Sequence, residues 1–260
     1  MENRLISIPY KEKIIDACVT LPDVTKTTGY GVILTHGAGG DMNLLQLKLL
    51  SEHLASKGVM AVRFTCKGLN LAYRVKVYTC VLEHVTSQYS KVTRYFLAGR
   101  SMGSRAAVGV ANGVKGTELV KTVAGVIALS YPLHTQENKS NLRDKPLYEL
   151  SDPICFVSGT SDEMCDKSLL ENVVRDVKNS EVKWIKGANH ALKVKGSKEE
   201  DIITDIGDFI CDWCKTKLSG NIVESVDDEE GKQSERNPKR KVDEKNERKG
   251  GKRAKARLVR

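Results

Sequence analysis

The amino-acid sequence predicts an α/β fold in which helices cover both faces of a mostly parallel sheet. Short apolar runs rich in β-branched residues alternate with segments of helical period over about 200 residues. The apolar runs are almost continuously hydrophobic, which is typical of parallel strands buried on both faces. Helical segments between such strands predict right-handed crossover connections.

The predicted elements begin with an antiparallel pair of strands. The apolar runs cover residues 5–9, 14–21, 31–35, 59–64, 95–98, 123–129, 154–157 and 182–185. The helical segments cover residues 44–56, 70–88, 105–114, 168–177 and 199–217. In sheets of this class, functional groups gather in loops beyond the carboxyl ends of strands, so each functional motif is expected to follow a strand.

A change of composition divides the chain at residue 219. We expect residues 1–218 to form one domain and residues 219–260 to form a disordered basic tail, because the tail has too few apolar residues to offset its ordering entropy. Residues 231–260 hold 13 of the 42 Lys and Arg and 4 of the 33 Asp and Glu, so the whole net charge of +9 lies there. The high isoelectric point therefore describes the tail and not the domain.

Membrane insertion and disulfide chemistry find no support in the sequence. No segment approaches the roughly 18 apolar residues that span a bilayer, and the first ten residues do not resemble a signal peptide. We expect no membrane association, a cytoplasmic or nuclear location, and seven reduced cysteines. Cys211 and Cys214 have C-x-x-C spacing, but they lie late in a helical pattern, which favours packing over redox chemistry.

A nucleophile motif follows the fifth predicted strand. Gly99-Arg-Ser-Met-Gly103 fits the pattern Gly-x-Ser-x-Gly and opens a helical segment. In a strand–turn–helix setting, the glycines permit a tight turn that exposes the serine hydroxyl. The sequence therefore predicts Ser101 as a nucleophile, with a simple N-cap serine in a glycine-rich turn as the alternative.

A glycine-rich turn, His36-Gly-Ala-Gly-Gly40, follows the third predicted strand. The backbone N–H groups of Ala38 and Met102 are the predicted oxyanion hole, the donors that would face negative charge developing on a carbonyl oxygen. His36 precedes the serine in the chain, whereas the catalytic histidine of this arrangement comes last. We therefore expect a structural role for His36.

The base and the acid are expected after later strands. His190 follows the last predicted strand, and none of the other four histidines has that place. Asp162 follows the preceding strand and is the preferred carboxylate for orienting the imidazole. Glu163 and Asp166 are alternatives, although Asp166 is better placed to cap the next helix. The order Ser101, Asp162, His190 matches the α/β-hydrolase fold, which is therefore the predicted fold.

Several unusual segments carry a resemblance to a known family. They are Ile33-Leu-Thr-His-Gly-Ala38, Gly40-Asp-Met-Asn43, Arg63-Phe-Thr-Cys-Lys-Gly-Leu-Asn70, Gly99-Arg-Ser-Met-Gly-Ser-Arg-Ala106, Ser130-Tyr-Pro-Leu-His134, Val157-Ser-Gly159, Ser161-Asp-Glu-Met-Cys165 and Ala188-Asn-His190. Residues 5–217 resemble the testis-expressed protein 30 family of α/β-hydrolase-like proteins. They are also similar to the hydrolase-like domain of NSL complex subunit 3, a subunit of a chromatin acetyltransferase complex. The resemblance implies a hydrolase fold with its nucleophile at Ser101 and its base at His190, and it leaves the substrate open.

A serine hydrolase acting on a small ester or thioester is the predicted function. Residues 131–152 are few and mostly polar, which leaves no room for the helical lid that hydrolases often insert there. We therefore expect an open site for a small acyl substrate, and the triad needs no metal or cofactor. The alternative is a catalytically silent interaction module that kept the fold, such as a chromatin-associated one.

The tail carries two basic clusters, Pro238-Lys-Arg-Lys241 and Lys252-Arg-Ala-Lys-Ala-Arg257. Their separation of about ten residues suits a bipartite nuclear-import signal, and their charge would also attract nucleic acid weakly. No aromatic residue lies between them, so base stacking is not expected. The expected partner is an import receptor or nucleic acid, and the alternative is a solvated tail with no dedicated partner.

Overall fold

The computed structural model describes residues 1–230, with side chains as far as residue 219. Its strands are β1 (Glu2–Tyr10), β2 (Lys13–Leu21), β3 (Tyr30–Thr35), β4 (Met60–Phe64), β5 (Arg94–Arg100), β6 (Val123–Leu129), β7 (Ile154–Gly159) and β8 (Ser180–Ile185). Its α-helices are α1 (Leu45–Ser56), α2 (Leu71–Gln88), α3 (Met102–Gly113), α4 (Lys145–Tyr148), α5 (Lys167–Asp176) and α6 (Glu199–Glu230). The predicted alternation of strands and helices is confirmed, and α3 begins three residues earlier than expected.

One sheet holds all eight strands of the described residues, in the order β1-β2-β4-β3-β5-β6-β7-β8. Strands β3 to β8 are mutually parallel, whereas β1 pairs antiparallel with β2 and β2 pairs antiparallel with β4. The chain passes from β3 to β4 on one side and then returns to β5 on the other. The carboxyl ends of β3 and β5 therefore form a topological switch point, where sites of open α/β sheets are found.

Apolar side chains on each face of the sheet hold the helices in place. Helices α2, α3 and α5 pack on one face, where Tyr78, Ala107 and Leu170 are fully buried. Helices α1 and α6 pack on the other, where Leu50 and Ile206 are buried against the strands. Each such aliphatic side chain contributes about 1.5–3 kcal/mol on burial. The prediction of helices on both faces is confirmed.

The segment between β6 and β7 is short. Its one described helix is α4, a single turn of four residues. The prediction that no large lid is inserted here is confirmed, and Ser101 retains partial exposure to solvent.

Helix α6 runs past the predicted domain boundary at residue 218. The first compact unit spans Met1–Asn221, and helical backbone continues to Glu230. The helical backbone of residues 219–230 includes Ile222 and Val226, which continue the apolar spacing of α6. Residues 231–260, including both basic clusters, lie outside the described residues, so the domain boundary and the disordered basic tail stay predictions. Within residues 1–230, no helix is long and apolar enough to cross a bilayer.

Candidate active site

Ser101 sits on a sharp bend between β5 and α3. Its backbone has φ 53° and ψ −119°, a left-handed conformation that few residues other than glycine adopt. Such a conformation costs about 1–3 kcal/mol and persists only where the surroundings impose it. Here the Ser101 N–H donates to the Leu129 carbonyl oxygen at 2.8 Å, and α3 begins at the next residue. The bend lifts the hydroxyl above the carboxyl edge of the sheet.

The two glycines of the motif allow close backbone contacts. A Cβ on Gly99 would lie 2.2 Å from the carbonyl carbon of Gly103, which is backbone and cannot move aside. A Cβ on Gly103 would lie 2.7 Å from the carbonyl oxygens of Thr35 and His36. The glycines therefore let the strand turn directly into the helix and let the helix start approach the loop after β3.

Three side chains from three loops meet at this edge. His190 Nε2 lies 2.8 Å from Ser101 Oγ, and His190 Nδ1 lies 2.9 and 3.0 Å from the two carboxylate oxygens of Asp162. A carboxylate only accepts hydrogen bonds, so a neutral imidazole holds its proton on Nδ1 and turns the Nε2 lone pair to the serine hydroxyl. The Asp162 side chain is fully buried and that of His190 is 14% exposed. The structure thus brings together the three side chains singled out from the sequence.

The turn after β7 separates Asp162 from the two competing carboxylates. The Asp162 N–H donates to the Gly159 carbonyl oxygen, and Asp162 Oδ1 accepts from the Met164 N–H at 2.8 Å, which orients the side chain inward. Glu163 is exposed, and its carboxylate accepts from the backbone N–H of His190, at 3.4 Å, not from the imidazole. Asp166 caps α5, as expected, and a hydrogen bond from Lys139 lowers the pKa of its carboxyl.

The loop after β3 lies against the nucleophile. A Cβ on Gly37 would lie 3.1 Å from Ser101 Cβ, so the backbone of this loop borders the serine. Ala38 is exposed, and Met102 occupies the first position of α3, where a backbone N–H lacks an intrahelical partner. Within residues 1–230, the N–H groups of Ala38 and Met102 donate to no protein acceptor.

His36 joins the loop after β3 to the loop after β4. Its Nε2 accepts from the Cys66 N–H at 2.9 Å, and its Nδ1 donates to the Gly37 carbonyl oxygen at 2.7 Å. Burial lowers the pKa of His36, which keeps the ring neutral with its proton on Nδ1. These contacts accord with the structural role expected for this histidine.

Two arginines near the site, the buried Arg74 and the half-buried Arg100, were not anticipated from the sequence. Arg74, on α2, donates from Nη1 to the His36 carbonyl oxygen at 2.9 Å, from Nη2 to that of Gly37 at 3.1 Å, and from Nε to that of Gly68 at 2.7 Å. Arg100 donates from Nη2 to the His190 carbonyl oxygen at 3.2 Å. A signal for Arg74 exists in the sequence, because it falls on the apolar stripe of its helix.

Residues 29–215 match the family described as Alpha/beta hydrolase domain. The chain belongs to this family. Solved structures with the same fold include Est1E from Butyrivibrio proteoclasticus, at 16% identity and a TM-score of 0.66 over 80% of this chain and 98% of that one. XC6422 from Xanthomonas campestris, described as an a/b serine hydrolase without lid, is 16% identical, with a TM-score of 0.62 over 82% and 95%. Dienelactone hydrolase from Anabaena variabilis ATCC 29413 is 14% identical, with a TM-score of 0.64 over 82% and 96%.

In this α/β hydrolase, the cysteines of the C-x-x-C spacing and His134 lie in the packed interior. Cys211 and Cys214 are buried between α6 and the sheet, and burial raises the pKa of Cys211 to about 11 and that of Cys214 well above its usual value. Both thiols are buried in the core, as the packing interpretation expects. His134 is buried, with Nε2 accepting from the Asp166 N–H at 2.8 Å. Among the described residues, no group of three or more His, Cys, Asp or Glu side chains is placed to hold a metal ion.

Proposed function

We propose that the protein is a serine hydrolase in which Ser101 is the nucleophile, His190 the general base and Asp162 the orienting acid. The observation that carries the proposal is the pair of contacts on one imidazole ring. Nε2 is 2.8 Å from the serine hydroxyl while Nδ1 is held by a buried carboxylate. This is the spacing that proton transfer in nucleophilic catalysis requires.

The reaction proceeds in two halves. Ser101 Oγ attacks the carbonyl carbon of an ester or thioester as its proton passes to His190 Nε2, and a tetrahedral intermediate forms. His190 then gives that proton to the departing alcohol or thiol, which leaves an acyl group on Ser101. Water enters, loses a proton to His190 and attacks the acyl carbon. The intermediate collapses with return of the proton to Ser101, and the carboxylic acid is released.

The oxyanion of each tetrahedral intermediate is assigned to the backbone N–H groups of Ala38 and Met102. Support comes from the close approach of Gly37, which precedes Ala38, to Ser101, from the place of Met102 directly after Ser101, and from the lack of protein acceptors for both N–H groups in the described chain. The N–H of Met102 also lies at the positive end of α3, a helix of 12 residues. Removal of one such donor typically slows catalysis about 10²–10³-fold.

A small ester or thioester is the proposed substrate. The single turn of α4 between β6 and β7 supports this choice, because it provides no tunnel for a long acyl chain. The fold neighbours include a protein described as a serine hydrolase without lid, an esterase domain and Est1E with bound ferulic acid. Within the hydrolase family we place the chain with the testis-expressed protein 30 group, on the segments quoted above.

Active-site labelling tests the proposal. The wild-type chain is expected to react covalently with a fluorophosphonate probe and to hydrolyse p-nitrophenyl acetate, whereas Ser101→Ala loses both properties. Ser161→Ala is the matched control, because Ser161 is an exposed serine beside Asp162 and has no part in the mechanism. It is expected to label like the wild type.

The same experiment discriminates between enzyme and interaction module. A folded wild-type chain that neither labels nor hydrolyses a panel of short-chain esters and thioesters would refute the hydrolase and favour the silent module. Equal labelling of wild type and Ser101→Ala would refute Ser101 as the nucleophile.

A further inference from the structure

Arg74 is a buried cation without a carboxylate partner. Its exposed fraction is 2%, and no ion pair within the described residues includes it. Burying an unpaired charge is costly, and here the cost is offset by hydrogen bonds to three backbone carbonyl oxygens. Neutral side chains or backbone pairing would satisfy carbonyl groups at a lower cost. The use of a guanidinium at this place therefore calls for a further reason.

The direction of one peptide group supplies that reason. A trans peptide is planar, so its C=O and its N–H point to opposite sides. The Gly37 carbonyl oxygen is fixed by donors from Arg74 Nη2 and His36 Nδ1. The N–H of the same peptide belongs to Ala38, and it must point away from both donors. This N–H has no acceptor in the described chain, and its loop borders Ser101.

We infer that Arg74 is a positioning residue that holds the peptide between Gly37 and Ala38 so that the Ala38 N–H faces the reacting carbonyl oxygen. The inference rests on the proposed hydrolase function and deepens it. Because the fork of Arg74 also binds the carbonyl oxygens of His36 and Gly68, it ties the loops after β3 and β4 into one unit. The oxyanion donor is thereby oriented before substrate binds.

The positive charge of the guanidinium adds an electronic effect. A charge-assisted hydrogen bond to a carbonyl polarises the whole peptide, because linked hydrogen bonds strengthen one another in a poorly solvated site. The Ala38 N–H thus becomes a stronger donor to an oxyanion. A lysine would keep the charge, but its single ammonium cannot reproduce the planar fork that reaches two loops at once.

Kinetics of the full chain with p-nitrophenyl acetate test the inference, with active sites counted by fluorophosphonate titration. Arg74→Met is expected to lower kcat about 10²-fold with little change in KM, because an oxyanion donor acts only in the transition state. Affinity for a trifluoromethyl ketone, whose hemiketal oxyanion uses the same donors, should fall in parallel. Arg94→Met is the control, since Arg94 donates to the Val123 carbonyl oxygen at the amino ends of the strands. It should keep the kcat of the wild type.

A double-mutant cycle tests whether Arg74 acts through Ala38. Ala38→Pro removes the backbone N–H outright, so adding Arg74→Met to it should lower kcat little further. Additive losses in the cycle, or an unchanged kcat in Arg74→Met, would overturn the inference while the hydrolase stands. If Arg74→Met does not fold, Arg74→Lys replaces it in the cycle. A wild-type kcat in Arg74→Lys would also overturn the inference. A wild-type chain without turnover would instead refute the proposed function and this inference with it.

Discussion

Replacing Asp162 with asparagine removes a charge beside His190 and preserves the shape of the side chain. Asp162 Oδ1 accepts from the Met164 N–H, so the amide oxygen of asparagine would take that place. The amide NH₂ would then occupy the position of Oδ2, 3.0 Å from His190 Nδ1. It would donate to Nδ1 and shift the ring proton to Nε2, where it blocks uptake of the serine proton.

Two effects set the size of the loss. A carboxylate at about 4 Å from the imidazolium charge stabilises it by about 4 kcal/mol at an effective dielectric constant of 20, which corresponds to about 10³ in rate. The unfavourable tautomer adds to this, so Asp162→Asn should lower kcat on the order of 10³–10⁴-fold. The assay is hydrolysis of p-nitrophenyl acetate, with thermal unfolding recorded to show that the fold is retained.

Glu163→Gln is the matched control for this prediction. Glu163 follows Asp162 directly and meets His190 only at its backbone N–H, and a glutamine oxygen can still accept that hydrogen bond. The variant should therefore keep most of the wild-type kcat. A folded Asp162→Asn variant that keeps more than about a tenth of wild-type kcat would refute this prediction. Such a variant would have lost less than about 1.4 kcal/mol of transition-state stabilisation. A larger loss of kcat in Glu163→Gln than in Asp162→Asn would show that Glu163, not Asp162, is the orienting acid.

Three further outcomes are expected. Gly99→Ala forces a Cβ within 2.2 Å of a backbone carbon and should lower the free energy of unfolding in urea by about 3 kcal/mol or more, whereas Gly113→Ala meets open space and should be neutral or stabilising. Cys211 and Cys214 should resist iodoacetamide at pH 8 in the folded chain and react in urea, because burial raises both thiol pKa values; rapid alkylation of the native chain would contradict this. Deleting residues 231–260 from a chain fused to a fluorescent reporter should abolish nuclear enrichment, and equal distributions with and without the segment would remove the proposed import signal.

Much of the fold follows from local pattern. Continuous apolar runs identify parallel strands because both faces of such strands are covered, and the alternation with helices fixes the class. The candidate site residues could be predicted from their order along the chain, since Ser101, Asp162 and His190 each lie in the segment that follows a strand. The carboxyl ends of parallel strands share one edge, so order along the chain is enough to bring these residues near each other.

Other features depend on contacts that a pattern does not contain. Asp162, Glu163 and Asp166 all follow β7, and only the turn made by the Asp162 N–H and the Gly159 carbonyl decides which carboxylate faces the imidazole. By residue type alone, Arg74 looks like any charged residue of a long helix. Its spacing from the apolar residues Leu71 and Tyr78 places it on the apolar face of α2. Two of its three carbonyl partners, His36 and Gly37, lie in the loop after β3, 38 and 37 residues earlier in the chain, and no spacing rule connects them to Arg74.

Trapping an acyl-enzyme tests the central claim most directly. Trypsin should release the peptide Ser-Met-Gly-Ser-Arg, which follows Arg100 and contains both Ser101 and Ser104. After acid quenching of the wild-type chain during turnover of p-nitrophenyl acetate, tandem mass spectrometry of this peptide should find the acetyl group on Ser101. Acetyl on Ser104 alone, or a peptide that stays unmodified while ester is consumed, would contradict the account.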